Sequence, residues 1–337
     1  MSGVEPPKAT LLGRLLGIPK LRRWEGPVIR FVFALVVFTT LPLERISGNW
    51  LFGYDGWLAP TGRVDYDSQP VETGIAKFFD LTFMSNEALQ PWLWVISVVC
   101  LIAYVWGRGL VIALPVVLAI TVCARTLENS QGFMFHKYQI VSTVLLMQTA
   151  AVLVCFVWDL CLRWRGKQAR WGNRLDDVMV RYSQIGIIGA YMLAGIAKVD
   201  NSDGEWVANS PYFGLDAVRT HRQEYYAHLE GERFAEIPQA TWMLESPMRT
   251  RVLMGLGLLL EFICVFALFH RVLALVMGVL LVSFHVQIAA LMTVHFIYNE
   301  IIVYIFLVNP VFWIGAGGLW LWNKARGDRG EPRAVEA

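Results

Sequence analysis

The sequence predicts an all-α polytopic membrane protein with about eight transmembrane helices and two aromatic-rich extracytoplasmic loop segments. Its mean hydropathy is +0.48. Hydrophobic residues make up 56% of the 337 residues and charged residues only 17%, whereas soluble domains have about 25% charged residues. The basic residues concentrate in three segments outside the apolar runs. Together these observations indicate a chain that folds in a lipid bilayer.

Eight apolar runs approach or exceed the length that crosses roughly 30 Å of hydrocarbon. They cover residues 27–43, 91–106, 110–124, 134–160, 182–199, 251–269, 271–291 and 296–322. The second and third runs are short and are joined by Gly107-Arg108-Gly109, which predicts a helical hairpin. Pro310 interrupts the eighth run and predicts a kink, because proline removes a backbone hydrogen-bond donor.

The basic residues predict the topology. They lie in the N-terminal segment, the 162–181 loop and the C-terminal tail: Lys8, Arg14, Lys20, Arg22, Arg23, Arg163, Arg165, Lys167, Arg170, Arg174, Arg181, Lys324, Arg326, Arg329 and Arg333. With eight spans these segments share one side, which the positive-inside rule makes cytoplasmic. We therefore expect a cytoplasmic segment 1–26, a transmembrane domain 27–322 and a cytoplasmic tail 323–337.

The 44–90 and 200–250 segments then lie on the outer side. Both are rich in aromatic residues: Trp50, Phe52, Tyr54, Trp57, Trp206, Tyr212, Phe213, Tyr225, Tyr226 and Trp242. This density predicts a folded cap on the membrane surface that acts as a lid over the outer helix ends. An interfacial aromatic belt is the alternative.

Composition excludes several classes of function. The formal net charge is only +2, and the basic residues lie in separate segments between the apolar spans and do not form one patch, so we expect no nucleic-acid partner. The five cysteines fall in or beside apolar runs, and their odd number argues against a disulfide framework. No spacing of potential ligands resembles a metal site, and we expect no metal.

Lys198 is the first polar residue that needs an explanation. It lies near the outer end of an apolar run, and Tyr191 shares its helix face because the two residues are seven apart. Ala194 and Gly195 keep this helix slim, so a neighbouring helix can approach closely. The alternative is a lysine that snorkels to the membrane surface.

Three further polar residues lie in or at the ends of apolar runs. Glu261 is mid-span, where a charged side chain costs about 2.5–3.5 kcal/mol on insertion scales, so it is either protonated or paired with a buried base. His285 is deep enough in its run to need a partner, and a structural interhelix hydrogen bond would suffice. His136 opens the fourth run, where an interfacial role is the alternative.

These residues, in this order, resemble vitamin K-dependent γ-glutamyl carboxylase and its bacterial relatives with a horizontally transferred transmembrane domain. The family's lysine segment is similar to 194–200 followed by Glu205-Trp206-Val207, and its catalytic lysine matches Lys198. Its Phe-His pair matches Phe284-His285, its leucine run ending in an acidic residue matches 258–261, and its histidine at a helix start matches His136. The likeness spans roughly residues 27–310.

The resemblance implies a mechanism. In the family, a reduced vitamin K hydroquinone is deprotonated and reacts with oxygen, the resulting strong base removes a proton from a glutamate side chain, and the carbanion captures carbon dioxide. It implies Lys198 as first base, with His136, His285 and Glu261 as further catalytic residues. A reduced vitamin K or menaquinone-type hydroquinone is the expected cofactor, with Tyr191 and Trp206 as binding residues.

Two departures bear on the substrate. The family enzyme continues into a large lumenal domain that helps to hold its protein substrate, whereas this chain ends about fifteen residues after its last run. The animal enzyme also has Asn-Ser where this chain has Ile288-Ala289. We therefore expect a partner protein in place of the lumenal domain, besides the partners lipid and quinone.

Three classes of function stay open at the level of sequence. They are a carboxylase-like or quinol-oxygenating enzyme, a non-enzymatic membrane subunit of a larger complex, and a transporter that uses Glu261 as its proton site. The enzyme is expected in a bacterial inner membrane, with both termini cytoplasmic and the site facing the periplasm.

Overall fold

The structure is a computed structural model, and it describes residues 21–41, 43, 68–72, 74–86, 88–130, 138–168, 171, 174–228, 237–292 and 295–325. Within these ranges the chain is helical and contains no β-strand. It divides into two compact units. The larger unit comprises the described residues within 21–184 and 309–325, and the smaller unit comprises those within 185–308.

Twelve α-helices lie in the described ranges. They are α1 Glu25–Thr40, α2 Gln90–Trp106, α3 Leu110–Asn129, α4 Gln139–Trp164, α5 Leu175–Asp200, α6 Trp206–Asn209, α7 Phe213–His228, α8 Pro238–Glu245, α9 Pro247–Ile263, α10 Arg271–Met292, α11 Ile297–Val303 and α12 Pro310–Ala325. Shorter helical turns cover Gly74–Lys77, Thr82–Ser85, Ser210–Tyr212, Cys264–Leu268 and Tyr304–Val308. A helix therefore lies over each of the eight predicted apolar runs.

Four helical segments are long and apolar enough to cross a membrane: Leu110–Asn129, Gln139–Trp164, Pro247–Leu268 and Arg271–Ala290. A fifth span is present if α11 and α12, with the break between them, count as one. This break falls at Asn309, whose φ is 49°, and α12 restarts at Pro310. α2 is apolar but shorter. The finding supports a membrane protein with four or five such spans, and the count of eight is not established by it.

The larger unit contains the predicted helical hairpin. α2 and α3 pack against each other, and the connection uses Gly107 and Gly109 at φ 70° and 63°, a conformation that glycine adopts at little cost. Beneath the hairpin, the Tyr104 hydroxyl donates to Gln148 Oε1 at 2.7 Å, and Gln148 Nε2 donates to Ser183 Oγ at 3.0 Å. These two hydrogen bonds pair polar side chains of α2, α4 and α5 inside an apolar interior.

Part of the first aromatic-rich segment is described, and it packs on α3. Ala76, Leu81 and Met84 form a buried cluster with Ile120, Ala124 and Leu127 of that helix. Residues 44–67, which hold the aromatic residues predicted for this segment, lie outside the described residues. The proposed lid over the outer helix ends therefore stays a prediction for that part of the chain.

The smaller unit is built around α10. This helix packs against the turns at 264–268 and 304–308, and against α7 and α11. The approach to the second turn is close, because a Cβ added at Gly278 would lie 2.9 Å from the Val308 side chain. The second aromatic-rich segment contributes α6, α7 and α8, of which α6 packs on α9, and α8 packs on both α7 and α9. This arrangement places the helices of the second aromatic-rich segment beside the apolar helices of the unit.

Candidate functional site

The site lies where α5 crosses α9 in the smaller unit. At the crossing, a Cβ added to Gly195 would lie 3.1 Å from Phe262 Cζ and 3.4 Å from Glu261 Oε2. The missing side chain leaves room for the Phe262 and Glu261 side chains against α5. The predicted slimness of α5 therefore corresponds to a close contact with these two side chains.

An ion pair joins the two helices at this crossing. The Lys198 ammonium donates to Glu261 Oε1, and the side chains are 28% and 5% exposed, respectively. Lys198 Nζ also lies 5.2 Å from the centroid of the Trp206 ring, within the range of a cation–π contact. Lys198 thus points to a buried carboxylate and an aromatic face, and it does not extend away from the protein as a snorkelling lysine would.

A second buried polar pair links α5 to α10. The Tyr191 hydroxyl and His285 Nε2 are 2.7 Å apart, which is a hydrogen bond whose donor depends on the histidine tautomer. Both residues are 5% exposed. The His285 ring is also 5.0 Å from the Phe296 ring and 5.9 Å from the Phe284 ring, centroid to centroid. The imidazole is therefore held on one edge by Tyr191 and surrounded by aromatic rings.

Four buried side-chain atoms in the described part of this unit have no hydrogen-bond partner within the protein. One is His221 Nε2, and the other three are Glu261 Oε2, His285 Nδ1 and Asn299 Oδ1. Tyr191 links the last three residues, since its hydroxyl hydrogen-bonds to His285 Nε2 and to the Asn299 side chain and interacts electrostatically with Glu261. Lys198 interacts electrostatically with His285. Buried polar groups in proteins are nearly always paired, so each exception calls for a ligand, a water or a functional role. The three atoms near Tyr191 therefore mark where a water or a bound polar group would be held.

Five of the six residues selected from the sequence meet in this cluster. The structure brings together Tyr191, Lys198, Trp206, Glu261 and His285. The sixth, His136, lies outside the described residues.

The sequence did not indicate Asn299 as a member of the cluster, because a polar residue at a helix start is adequately explained as a helix cap. Its position at the start of an apolar run, next to Glu300, was the available indication. A second contributor was also unassigned: the Cys264 thiol donates to the Glu261 carbonyl oxygen at 3.0 Å, which ties the carboxylate's own backbone to the following turn.

No group of three or more His, Cys, Asp or Glu side chains in the described part of the chain is arranged to hold a metal ion. The cluster itself presents an amine, a carboxylate, an imidazole and a phenol in a largely apolar setting.

In comparisons with known proteins, no family model, no curated protein and no solved structure gives a significant match to this chain. The resemblance to the carboxylase family thus stays a prediction that rests on the residues quoted above.

Proposed function

We propose that this protein is an integral membrane enzyme that deprotonates a hydroquinone and couples its oxidation by oxygen to a carboxylation or a related reaction. The single observation that carries the proposal is the Lys198–Glu261 ion pair, buried beside the Tyr191–His285 hydrogen bond. A buried ion pair alone is weak evidence for a stabilising role, since apolar residues of similar volume often serve stability as well. In this proposal the pair and the unpartnered atoms Glu261 Oε2, His285 Nδ1 and Asn299 Oδ1 serve the chemistry.

The cluster fits the expected quinone. A hydroquinone ring presents two hydroxyl groups and a flat apolar body, which match unpartnered polar atoms beside aromatic side chains. Glu261 Oε2, His285 Nδ1 and Asn299 Oδ1 are the available polar atoms. Phe296 and Phe284 flank His285 and supply apolar surface. When bound, a reduced naphthoquinone would supply the acidic hydroxyl and the electrons that reduce oxygen.

Lys198 acts as the base in this proposal. In a medium of low dielectric the transfer of one proton from the Lys198 ammonium to the Glu261 carboxylate removes both charges, which burial favours. The neutral amine then accepts the proton of a bound hydroxyl group, and Glu261 keeps the proton that it received. The Tyr191–His285 pair orients the hydroxyl by hydrogen bonding, and the surrounding aromatic rings exclude water.

The membrane placement belongs to the same proposal. Eight spans, with both termini in the cytoplasm, put the three basic segments on one side, as the positive-inside rule requires. In a bacterial inner membrane the cluster would then open to the periplasm, where a partner protein would present the substrate. The helices over all eight apolar runs support this count, and the charge distribution supports the orientation.

The test is oxygen-dependent oxidation of reduced naphthoquinones by the purified full chain in lipid nanodiscs. We expect turnover by the wild type and a loss of about 10²–10⁴-fold in Lys198→Ala, the usual contribution of a general base. Lys198→Arg should be equally inactive, because a guanidinium stays protonated and cannot act as the base.

The matched control is Lys324→Ala. This exposed lysine also lies over a tryptophan, with Nζ 5.1 Å from the Trp320 ring centroid, and its loss should leave turnover unchanged. Wild-type turnover that survives Lys198→Ala would reject Lys198 as the base. Absence of turnover in the wild type, with both short-chain naphthoquinols and menaquinols, would reject the enzyme in favour of a non-enzymatic membrane subunit.

A further inference from the structure

A crevice of about 160 Å³ lies in the larger unit, between the start of α3, the second half of α4 and the start of α5. Its walls are mainly apolar and include Val111, Val152, Phe156 and Leu160. An apolar cavity of about 150 Å³ stays dry and binds a group the size of benzene. Water is therefore a poor occupant of this crevice, and a short stretch of hydrocarbon is a good one.

The crevice opens towards lipid. It adjoins the second half of α4, which is one of the helices long and apolar enough to span the membrane. On this half of the helix Phe156 is 49% exposed and Leu160 is 56% exposed. Side chains this apolar and this exposed on a membrane span face the acyl chains of the bilayer. An acyl chain can therefore reach the crevice without leaving the hydrocarbon.

The rim of the crevice is polar and lies next to a basic segment. Arg163, Asp159 and Trp171 line it. The Asp159 carboxylate accepts a hydrogen bond from the Trp171 backbone N–H, and the nitrogen lies 3.4 Å from each carboxylate oxygen. The Asp159 side chain is therefore directed towards the polypeptide. The segment 163–174 contains five basic residues and no acidic residue. An anionic group at the mouth of the crevice would be attracted by this charge.

We propose that this crevice binds an anionic phospholipid, with a segment of one acyl chain between Val152 and Phe156 and the phosphate at Arg163. Apolar walls, a lipid-facing opening and a basic rim each fit one part of such a molecule. The site is separate from the α5–α9 crossing and does not depend on the reaction proposed there. Its role is to bind a lipid of the leaflet that faces the basic segment.

Native mass spectrometry of the full chain can test this site. Detergent-purified protein, after removal of its lipids, is titrated with phosphatidylglycerol and with phosphatidylcholine of identical acyl chains. We expect one phosphatidylglycerol to be retained preferentially. Arg163→Gln should lower that retention about fivefold, the effect of losing one basic contact near a membrane surface. Arg165→Gln, an exposed neighbour that does not line the crevice, should change it less than about twofold.

A second variant tests the acyl-chain part of the site. Val111→Phe adds volume to the crevice wall and should abolish retention, with thermal unfolding used to show that the variant remains folded. Equal retention of the two lipids would overturn the proposal, as would equal losses in Arg163→Gln and Arg165→Gln, which indicate general attraction to a basic surface. Unchanged binding in folded Val111→Phe would place the lipid elsewhere.

Discussion

Removing either member of the Lys198–Glu261 pair should destabilise the protein by unequal amounts. The Glu261 side chain is 5% exposed, whereas that of Lys198 is 28% exposed and also contacts Trp206. Lys198→Met therefore leaves a nearly inaccessible carboxylate without its cation. Glu261→Leu leaves a lysine that keeps part of its hydration and its aromatic neighbour. The first substitution should cost more than the second.

The magnitudes follow from the burial of each group. Breaking a buried ion pair by removing one partner costs about 3–5 kcal/mol, and we expect Lys198→Met to lie near 3 kcal/mol because Glu261 can take up a proton. Glu261→Leu should cost about 1–3 kcal/mol, the range for one polar group that loses its partner. The double variant replaces the pair by apolar side chains of similar size, so it should recover much of the loss.

The measurement is a double-mutant cycle on the free energy of unfolding, from denaturant titration in mixed micelles. The loss in the double variant should fall short of the sum of the single losses by about 1–3 kcal/mol, as for residues in direct contact. Lys324→Met is the matched control, and it should lose less than about 1 kcal/mol because its cation–π contact is exposed. Additive losses would show that the two side chains do not interact, and they would refute the site as described.

Three further predictions concern single positions. Tyr191→Phe removes the hydrogen bond to His285 and should cost about 1–3 kcal/mol in the same titration. If its loss and that of His285→Phe were additive in the double variant, the two side chains would be shown to be independent. Gly257→Ala would place a Cβ 2.3 Å from the Phe284 ring and should lower the free energy of unfolding by about 1–3 kcal/mol; an equal effect of Gly189→Ala, where a Cβ meets open space, would contradict a steric cause. Hydrogen bonds from the backbone and side chain of Thr82 hold the pKa of Asp80 below its usual range. Their contribution to stability is therefore present at a pH above the unfolded pKa of about 3.9 and is lost as the pH falls through the folded pKa. Thr82→Val should weaken this acid dependence of the thermal midpoint, and an unchanged pH profile would refute it.

The helices were predictable because apolar runs leave the backbone few alternatives in lipid. All eight predicted runs carry a helix, and the Gly107–Gly109 connection forms the expected tight hairpin. The extent of each helix was less predictable. α5 begins at Leu175, seven residues before the predicted run, because polar residues such as Arg181 continue a helix without contributing to hydropathy. Hydropathy therefore identifies the helices better than it identifies their ends or the number that span the membrane.

The residues of the candidate site could be selected from the free-energy cost of a polar side chain in an apolar run, but their pairing could not be predicted. A carboxylate in an apolar run has to be neutralised, so Glu261 required either a proton or a base. Nothing in the sequence indicated that the base is Lys198, 63 residues earlier, because the pairing depends on how α5 crosses α9 at Gly195. The same applies to Tyr191 and His285, which are 94 residues apart. Helix periodicity placed Tyr191 and Lys198 on one face, and only the packing of α9 and α10 against that face supplied their partners.

The charge of the pair suits the base that we propose. A single buried amine or carboxylate would carry a net charge that a low-dielectric setting penalises, whereas Lys198 and Glu261 together carry none. If the pair accepts the proton of a bound hydroxyl, Glu261 ends neutral and Lys198 ends as a cation facing the oxygen that lost the proton. The summed charge of the cluster and its ligand is zero before and after this step, so the low dielectric does not oppose it. Under the proposed function both side chains take part, since Glu261 holds the proton that the Lys198 amine gives up before it accepts the proton of the ligand.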